Sequence, residues 1–293
     1  MTSFLWLPLA INTALLTAGE AVLFRKYFID LSPWGITAKP FVFSMPLYII
    51  TLLTIKIPDI DSGFWPLMLL TAPLTAIGVA FNINAFRHAP LSLTMPLLAF
   101  TPAFALVTGF LFLDEAPSIS GAFGIVLIML GSHIINMNGM NKPADILAPL
   151  KALANNKGSR YMIIASLLYG LTSVMGKMMV LRSSGVFTGV SVFLVMGLGI
   201  LGFGLALGQL RFRELFSHPV ATAMLGGMTF LEVISHNIAI GLIDAAYMIS
   251  VKRLNGLFGV LFGWYFFQET QIRHRLAGAI LMTAGAVFIA VGG

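Results

Sequence analysis

Ten apolar stretches separated by short connections constrain this chain more than any other feature. They run over 3–24, 33–55, 64–86, 90–113, 117–136, 160–181, 186–208, 220–242, 246–268 and 275–291. A helix rises about 1.5 Å per residue, so roughly 17–25 apolar residues suffice to cross the hydrocarbon core. Together the stretches leave no room for a soluble domain. Their continuity excludes a transmembrane β-barrel, whose strands read as alternating segments of about ten residues. The first stretch has no basic leader and no small-residue cleavage site, so it reads as a membrane helix and not a signal peptide. Of 293 residues, 58% are hydrophobic and 10% charged, against about 25% charged in a soluble domain. There is no cysteine, which excludes disulfide staples and thiolate metal sites. The net charge of +6 reads as loop lysines and arginines at a membrane surface, and nucleic acid is not an expected partner. The expected fold class is an all-α integral membrane protein with ten transmembrane helices.

The one long connection, Met137 to Ser159, lies at the midpoint and carries Lys142, Lys151 and Lys157. A shift of 154 residues takes Thr75 to Thr229, Val79 to Val233, Ala85 to Ala239, Gly109 to Gly263 and Phe112 to Phe266. It also takes Glu115 to Glu269, Gly124 to Gly278 and Gly131 to Gly285; nearer the start, a shift of 151 pairs Gly19 with Gly170 and Lys26 with Lys177. Apolar coincidences are cheap in such a chain, but paired glutamates and glycines at one offset are not. The expected organisation is a first five-helix repeat over 1–136, a connection over 137–159 and a second repeat over 160–293. Five is odd, so the second repeat inserts inverted relative to the first. Inverted repeats characterise alternating-access carriers, with the substrate site near the midplane between the halves.

The stretch Ala85-Phe-Arg-His-Ala-Pro-Leu-Ser-Leu-Thr-Met-Pro96, then Thr101-Pro102, Phe112-Leu-Asp-Glu115, Gly124 and Gly131 resembles the repeat of the EamA transporters, within the drug/metabolite transporter superfamily. Phe266-Phe-Gln-Glu269, Gly278 and Gly285 follow the same pattern in the second half. The resemblance spans nearly the whole chain and implies a transporter, but it leaves the substrate open among amino acids, drugs, sugars and other metabolites. It implies a cavity lined by helices 1, 3, 4, 6, 8 and 9. The family pattern has proline in the ninth span where this chain has Gly256, which implies a softer break there.

Ionisable side chains inside spans are costly and are functional candidates by default. Here they are Glu20, Lys39, Lys177, Glu232, His236, Lys252 and Arg253. Spans 8 and 9 turn near 243–245, which puts Glu232 level with Asn255 and within about a turn of Lys252 and Arg253. The same count for spans 1 and 2 puts Glu20 less than a turn from Lys39. Two readings follow: structural ion pairs, or Glu232 as a proton-coupling or substrate-amine group. Glu232, Ser235, His236 and Ala239 share one helix face. Asn82 matches His236 by offset, with Asn84 and Asn237 close by; amides at this depth also glue helices together.

Thr101-Pro102 is the expected kink of span 4, acting as gate, lining or static bend. Gly204 and Gly208 in span 7 form a small-xxx-small pair expected at a helix interface. Glu115 and Glu269 are expected to cap the helices that follow them, spans 5 and 10. No HExxH, GxSxG, P-loop or strand-linked GxGxxG occurs, so no catalytic residue, metal or cofactor is expected and ATP is not the direct energy source. Twelve lysines and arginines fall on the side of loops 1–2, 3–4, 5–6, 7–8 and 9–10, against five opposite. That balance puts both termini outside, whereas the resemblance implies cytoplasmic termini.

The expectation is therefore a secondary active transporter, an exporter or exchanger of a small metabolite, amino acid or drug-like molecule. It would sit in the inner or plasma membrane as a multi-pass monomer or homodimer. Its expected partners are a small-molecule substrate, the bilayer and a coupling proton. A lipid flippase of the same fold and an integral-membrane lipid-modifying enzyme are the alternatives.

Overall fold

The computed structural model describes residues 4–88, 97–136, 156–268 and 272–292. The described residues form helices α1 (Trp6–Tyr27), α2 (Pro33–Ala38), α3 (Phe41–Thr54), α4 (Phe64–His88), α5 (Thr101–Leu113), α6 (Ile119–Asn136) and α7 (Lys157–Leu181). After these come α8 (Gly185–Ala206), α9 (Phe212–Leu215), α10 (Pro219–Ile240), α11 (Ala245–Lys252), α12 (Asn255–Phe267) and α13 (Ile272–Gly292). The protein is all-helical over these residues. Among the described residues six segments are long and apolar enough to cross a membrane: Trp6–Tyr27, Trp34–Thr54, Phe64–Asn82, Lys157–Leu181, Gly185–Ala206 and Pro219–Ile240. Thr101–Leu113, Ile119–Ile134 and Ala277–Gly292 are shorter apolar helices. Residues 137–155 of the midpoint connection, with Lys142 and Lys151, lie outside the described residues, as do Glu269, Pro90 and Pro96.

The ends of the helices follow from local chemistry. Ser32, Asn156 and Ser184 cap α2, α7 and α8 by accepting first-turn N–H groups, from Gly35 at 3.0 Å, Gly158 at 2.8 Å and Phe187 at 3.2 Å. Asp114 and Gln268 end α5 and α12 in the left-handed region, at φ 54° and 53°. Gly208, at φ 64°, lies past the end of α8, and Gln209 N–H returns to Gly204 O at 2.9 Å. This corrects the expected Gly204/Gly208 interface. Gly208 ends the helix, while Gly204 does pack, against Leu210 and against Trp34 of α2; further close approaches of α8 fall at Gly185 and Gly189, beside Asn237 of α10, and at Gly197, beside Phe41 of α3.

Three of the expected spans are interrupted. Span 2 breaks at Lys39-Pro40 between α2 and α3, and span 4 turns at Ala99-Phe100 before α5. Thr101-Pro102 is therefore a helix start, with Thr101 Oγ1 donating to Leu98 O at 2.7 Å, and not a bend inside a continuous helix. Span 9 turns at Arg253-Leu254 without any proline. Arg253 and Leu254 donate three residues back, to Ser250 O and Val251 O, each at 3.0 Å, and this tighter winding separates α11 from α12.

The helices pack across the halves: α1 on α10, α4 on α7, α5 on α7, α11 and α12 on α1, α3 on α10, and α6 on α13. At the α6–α13 crossing Gly124 and Gly131 face Gly285 and Gly278. A Cβ at 124 would lie 2.6 Å from Gly285 O, and one at 131 would lie 2.5 Å from Gly278 O, so only glycine permits this approach. The main core joins Ala10 and Ala14 of α1 to Ile128, Tyr247, Met248 and Met282. Large apolar side chains cover the outside, among them Leu69, Phe203 and Val291. That exterior suits hydrocarbon and not water. Hydroxyls inside the helices return to their own backbone, as Thr13 does to Leu9 O at 2.9 Å and Thr51 to Leu47 O at 2.7 Å.

Candidate functional site

Where α10 faces α11, Lys252 Nζ lies 2.6 Å from Glu232 Oε1 and 3.4 Å from His236 Nδ1. Glu232 and His236 are one helical turn apart, and the turn at 253–254 carries Lys252 to the same depth, as the hairpin count expected. These groups border a cavity of about 350 Å³ whose wall includes Thr101, Tyr169, Asn237, Arg253 and Asn255. Threonines at 17, 71, 75, 172 and 188 add hydroxyls to it. Spans 1, 3, 4, 6, 7, 8 and 9 all contribute walls, and α5 and α12 begin at this depth, at Thr101 and Asn255, so the breaks in spans 4 and 9 both open onto the cavity.

The remaining candidates divide. Glu20 on α1 accepts a hydrogen bond from Thr229 Oγ1 at 2.8 Å and lies within electrostatic reach of Glu232 and Lys252, one layer behind the cavity wall. Asn82 donates to Tyr169 Oη at 3.2 Å, and its Oδ1 is buried without a partner among the described residues. Asn237 donates to Val233 O of its own helix at 2.9 Å. Asn84 donates to Ala80 O at 2.8 Å and faces a second chamber of about 530 Å³, which shares Met196 with the first.

Three expectations are corrected: the Glu20–Lys39 pairing, the place of Lys177 at the cavity and the helix that Glu115 caps. Lys39 does not meet Glu20. Fully buried, it donates to Glu214 O at 2.6 Å, Leu215 O at 3.0 Å and Ser217 O at 2.8 Å, with Phe28 beneath it at 4.8 Å. The break at Lys39-Pro40 removes the simple hairpin on which the count relied, and the ammonium instead bonds the cluster of carbonyls where α9 ends. Lys177 pairs with Glu115 and donates to Ile243 O at 2.8 Å, away from the cavity wall. Glu115 was expected to cap the helix that follows it; instead it accepts Ala245 N–H at 2.9 Å and caps α11. The left-handed Asp114 turns the chain so that Glu115 folds back over Gly109, where a Cβ would come within 3.0 Å of its Oε2. Asp244, in the connection before α11, has its carboxyl pushed above the ordinary range, first by burial and then by Glu115, with Lys177 opposing.

Pattern reading also passed over residues that the structure brings in. Tyr169 lines the cavity, and Asn12 donates to Ser235 Oγ at 2.9 Å across α1 and α10. Ser235 therefore faces α1 and not the cavity, although it shares a helix face with Glu232 and His236. A phenol and an amide inside apolar spans both require partners, and that requirement was the available signal.

Curated proteins offer no match in sequence to this chain. A solved structure described as "Crystal structure of protein" superposes with a TM-score of 0.73 over 97% of this chain and 95% of that one, at 13% identity. At that identity the likeness establishes a shared fold. Residues 4–137 match the family model of the EamA-like transporter family. The match spans a little under half of the chain, and over it the chain is similar to the EamA-like transporters.

Proposed function

We propose that the chain is a ten-span secondary transporter of a small metabolite, working as an exporter or exchanger in the inner or plasma membrane and not as an enzyme. Two inverted five-helix repeats, over 1–136 and 160–293, would enclose the substrate in the cavity beside Glu232. The observation that carries this reading is the exchange symmetry of the packing. Shifting by 154 residues turns the meeting of Gly124 with Gly285 into that of Gly278 with Gly131, and both meetings are present. Likewise α1 on α10 and α4 on α7 are one contact seen from either half, and the half-helix starts at Thr101 and Asn255 are equivalent. A site at the interface of such repeats, beside broken helices, is what alternating access requires.

Within this reading Glu232 is the coupling group, because its carboxylate faces the cavity, holds Lys252 and stands beside His236. Protonation of Glu232 would release Lys252, linking a proton to the state of the site. In proteoliposomes, Glu232→Gln is expected to abolish transport or make its rate independent of pH while leaving the folded yield unchanged. Equal transport with an unchanged pH profile removes Glu232 from the mechanism.

A further inference from the structure

Donors on the cavity wall are mostly spent. Lys252 is held by Glu232 and His236, and Asn237 by its own helix. The hydroxyls of Thr17, Thr71, Thr75 and Ser173 donate to backbone carbonyls one turn back, at 2.6–2.9 Å. Among the described residues the Asn255 amide and the Tyr169 hydroxyl also donate to nothing, and Arg253 is the one charged donor on the wall left unspent. Its guanidinium lines the cavity, forms no hydrogen bond or ion pair among the described residues, and has a buried, unpartnered Nε. A lone cation at this depth is costly. Around it, α5 and α12 begin at the wall, which brings the positive ends of two half-helices to the same place.

We propose that Arg253 is the binding group for an anionic substrate and that this substrate is a small organic monocarboxylate. This rests on the transporter reading above. One unpaired guanidinium neutralises one charge, and its planar fork matches a carboxylate through two parallel N–H···O bonds. A phosphate monoester brings a second charge for which the wall, among the described residues, holds no second unpaired cation. At about 350 Å³ the cavity is at the small end of ligand pockets. Beyond the charged end, Leu98, Val192, Phe193 and Met196 offer an apolar surface for the body of the molecule.

The test uses the full chain in nanodiscs and matched probes that differ only in charge: phenylacetate against phenylacetamide, with phenyl phosphate as a third. Affinity is read by calorimetry. The carboxylate is expected to bind about 10- to 100-fold more tightly than the amide, the range that charge-assisted hydrogen bonds supply. Arg253→Gln is expected to reduce that preference to within about two-fold, and Arg253→Lys, which keeps the charge but loses the fork, to leave it intermediate. Gel filtration and melting confirm that both variants fold. Absence of carboxylate binding, preference for the amide or the phosphate, or a preference that survives Arg253→Gln each overturns the proposal. Counterflow in proteoliposomes with neutral, amine and carboxylate solutes separates the two readings. Exchange restricted to neutral or amine solutes refutes the carboxylate site alone, and no exchange of any of them refutes the transporter reading.

Discussion

Lys177→Met removes the cation from an ion pair whose two side chains are each only 10% exposed. Glu115 would then be a buried carboxylate without its counter-charge, and breaking a buried pair from one side costs about 3–5 kcal/mol. The lower end applies here, since Glu115 keeps the Ala245 N–H at 2.9 Å. Glu115→Ala strands the lysine and also uncaps α11, adding about 1–2 kcal/mol. In the double variant neither charge is stranded, so its cost should fall short of the sum of the singles by about 2–3 kcal/mol. Unfolding in a fixed detergent reads the cycle, with each single variant lowering Tm by about 6–20 °C at 2–4 °C per kcal/mol. Costs that add to within about 0.5 kcal/mol would show two independent side chains and refute the pairing argument. The pair ties α5, α7 and the start of α11 together, so loss of transport in the double variant with stability largely recovered would mark this contact as part of the moving machinery.

Two further outcomes are expected. Gly131→Ala puts a methyl 2.5 Å from Gly278 O and should cost about 1–3 kcal/mol in the same unfolding assay, whereas Gly199→Ala, with nothing within 4 Å, should be neutral or gain up to about 1 kcal/mol. Because the folded-state pKa of Asp244 is raised, the stability its protonated form contributes is full below the unfolded value of about 3.9 and is lost as pH rises through the folded one. Wild type should therefore gain stability on acidification through the carboxylate range relative to Asp244→Asn, and parallel pH profiles would refute the shift.

The sequence was most informative where physics acts locally. Apolar length decides where a chain can cross a bilayer, and among the described residues the outer ends of the segments read from hydropathy lie within a few residues of helix ends, although spans 2, 4 and 9 are interrupted inside. The hairpin count brought Lys252 to Glu232 because spans 8 and 9 are joined by four residues, too few to let the register drift. The same count failed for Glu20 and Lys39, since the break at Lys39-Pro40 turns that lysine toward residues 214–217. Glycine spacing alone did not separate the helix-ending Gly208 from the interface glycines Gly189 and Gly197.

By itself the sequence determined an all-helical membrane chain and its likeness to the EamA-like transporters, and it supplied the offset from which an internal duplication is proposed, because hydropathy, offset and motif are written in neighbouring residues. Only the tertiary structure decided which charges within the spans are spent and, among the described residues, that Arg253 has no partner: Lys39 lies on carbonyls, Lys177 on Glu115, Lys252 on Glu232, and Arg253 faces the cavity. The partners of buried Lys39 come from residues 175 to 178 positions away. Their meeting is set by helix breaks and crossings that span spacing does not encode.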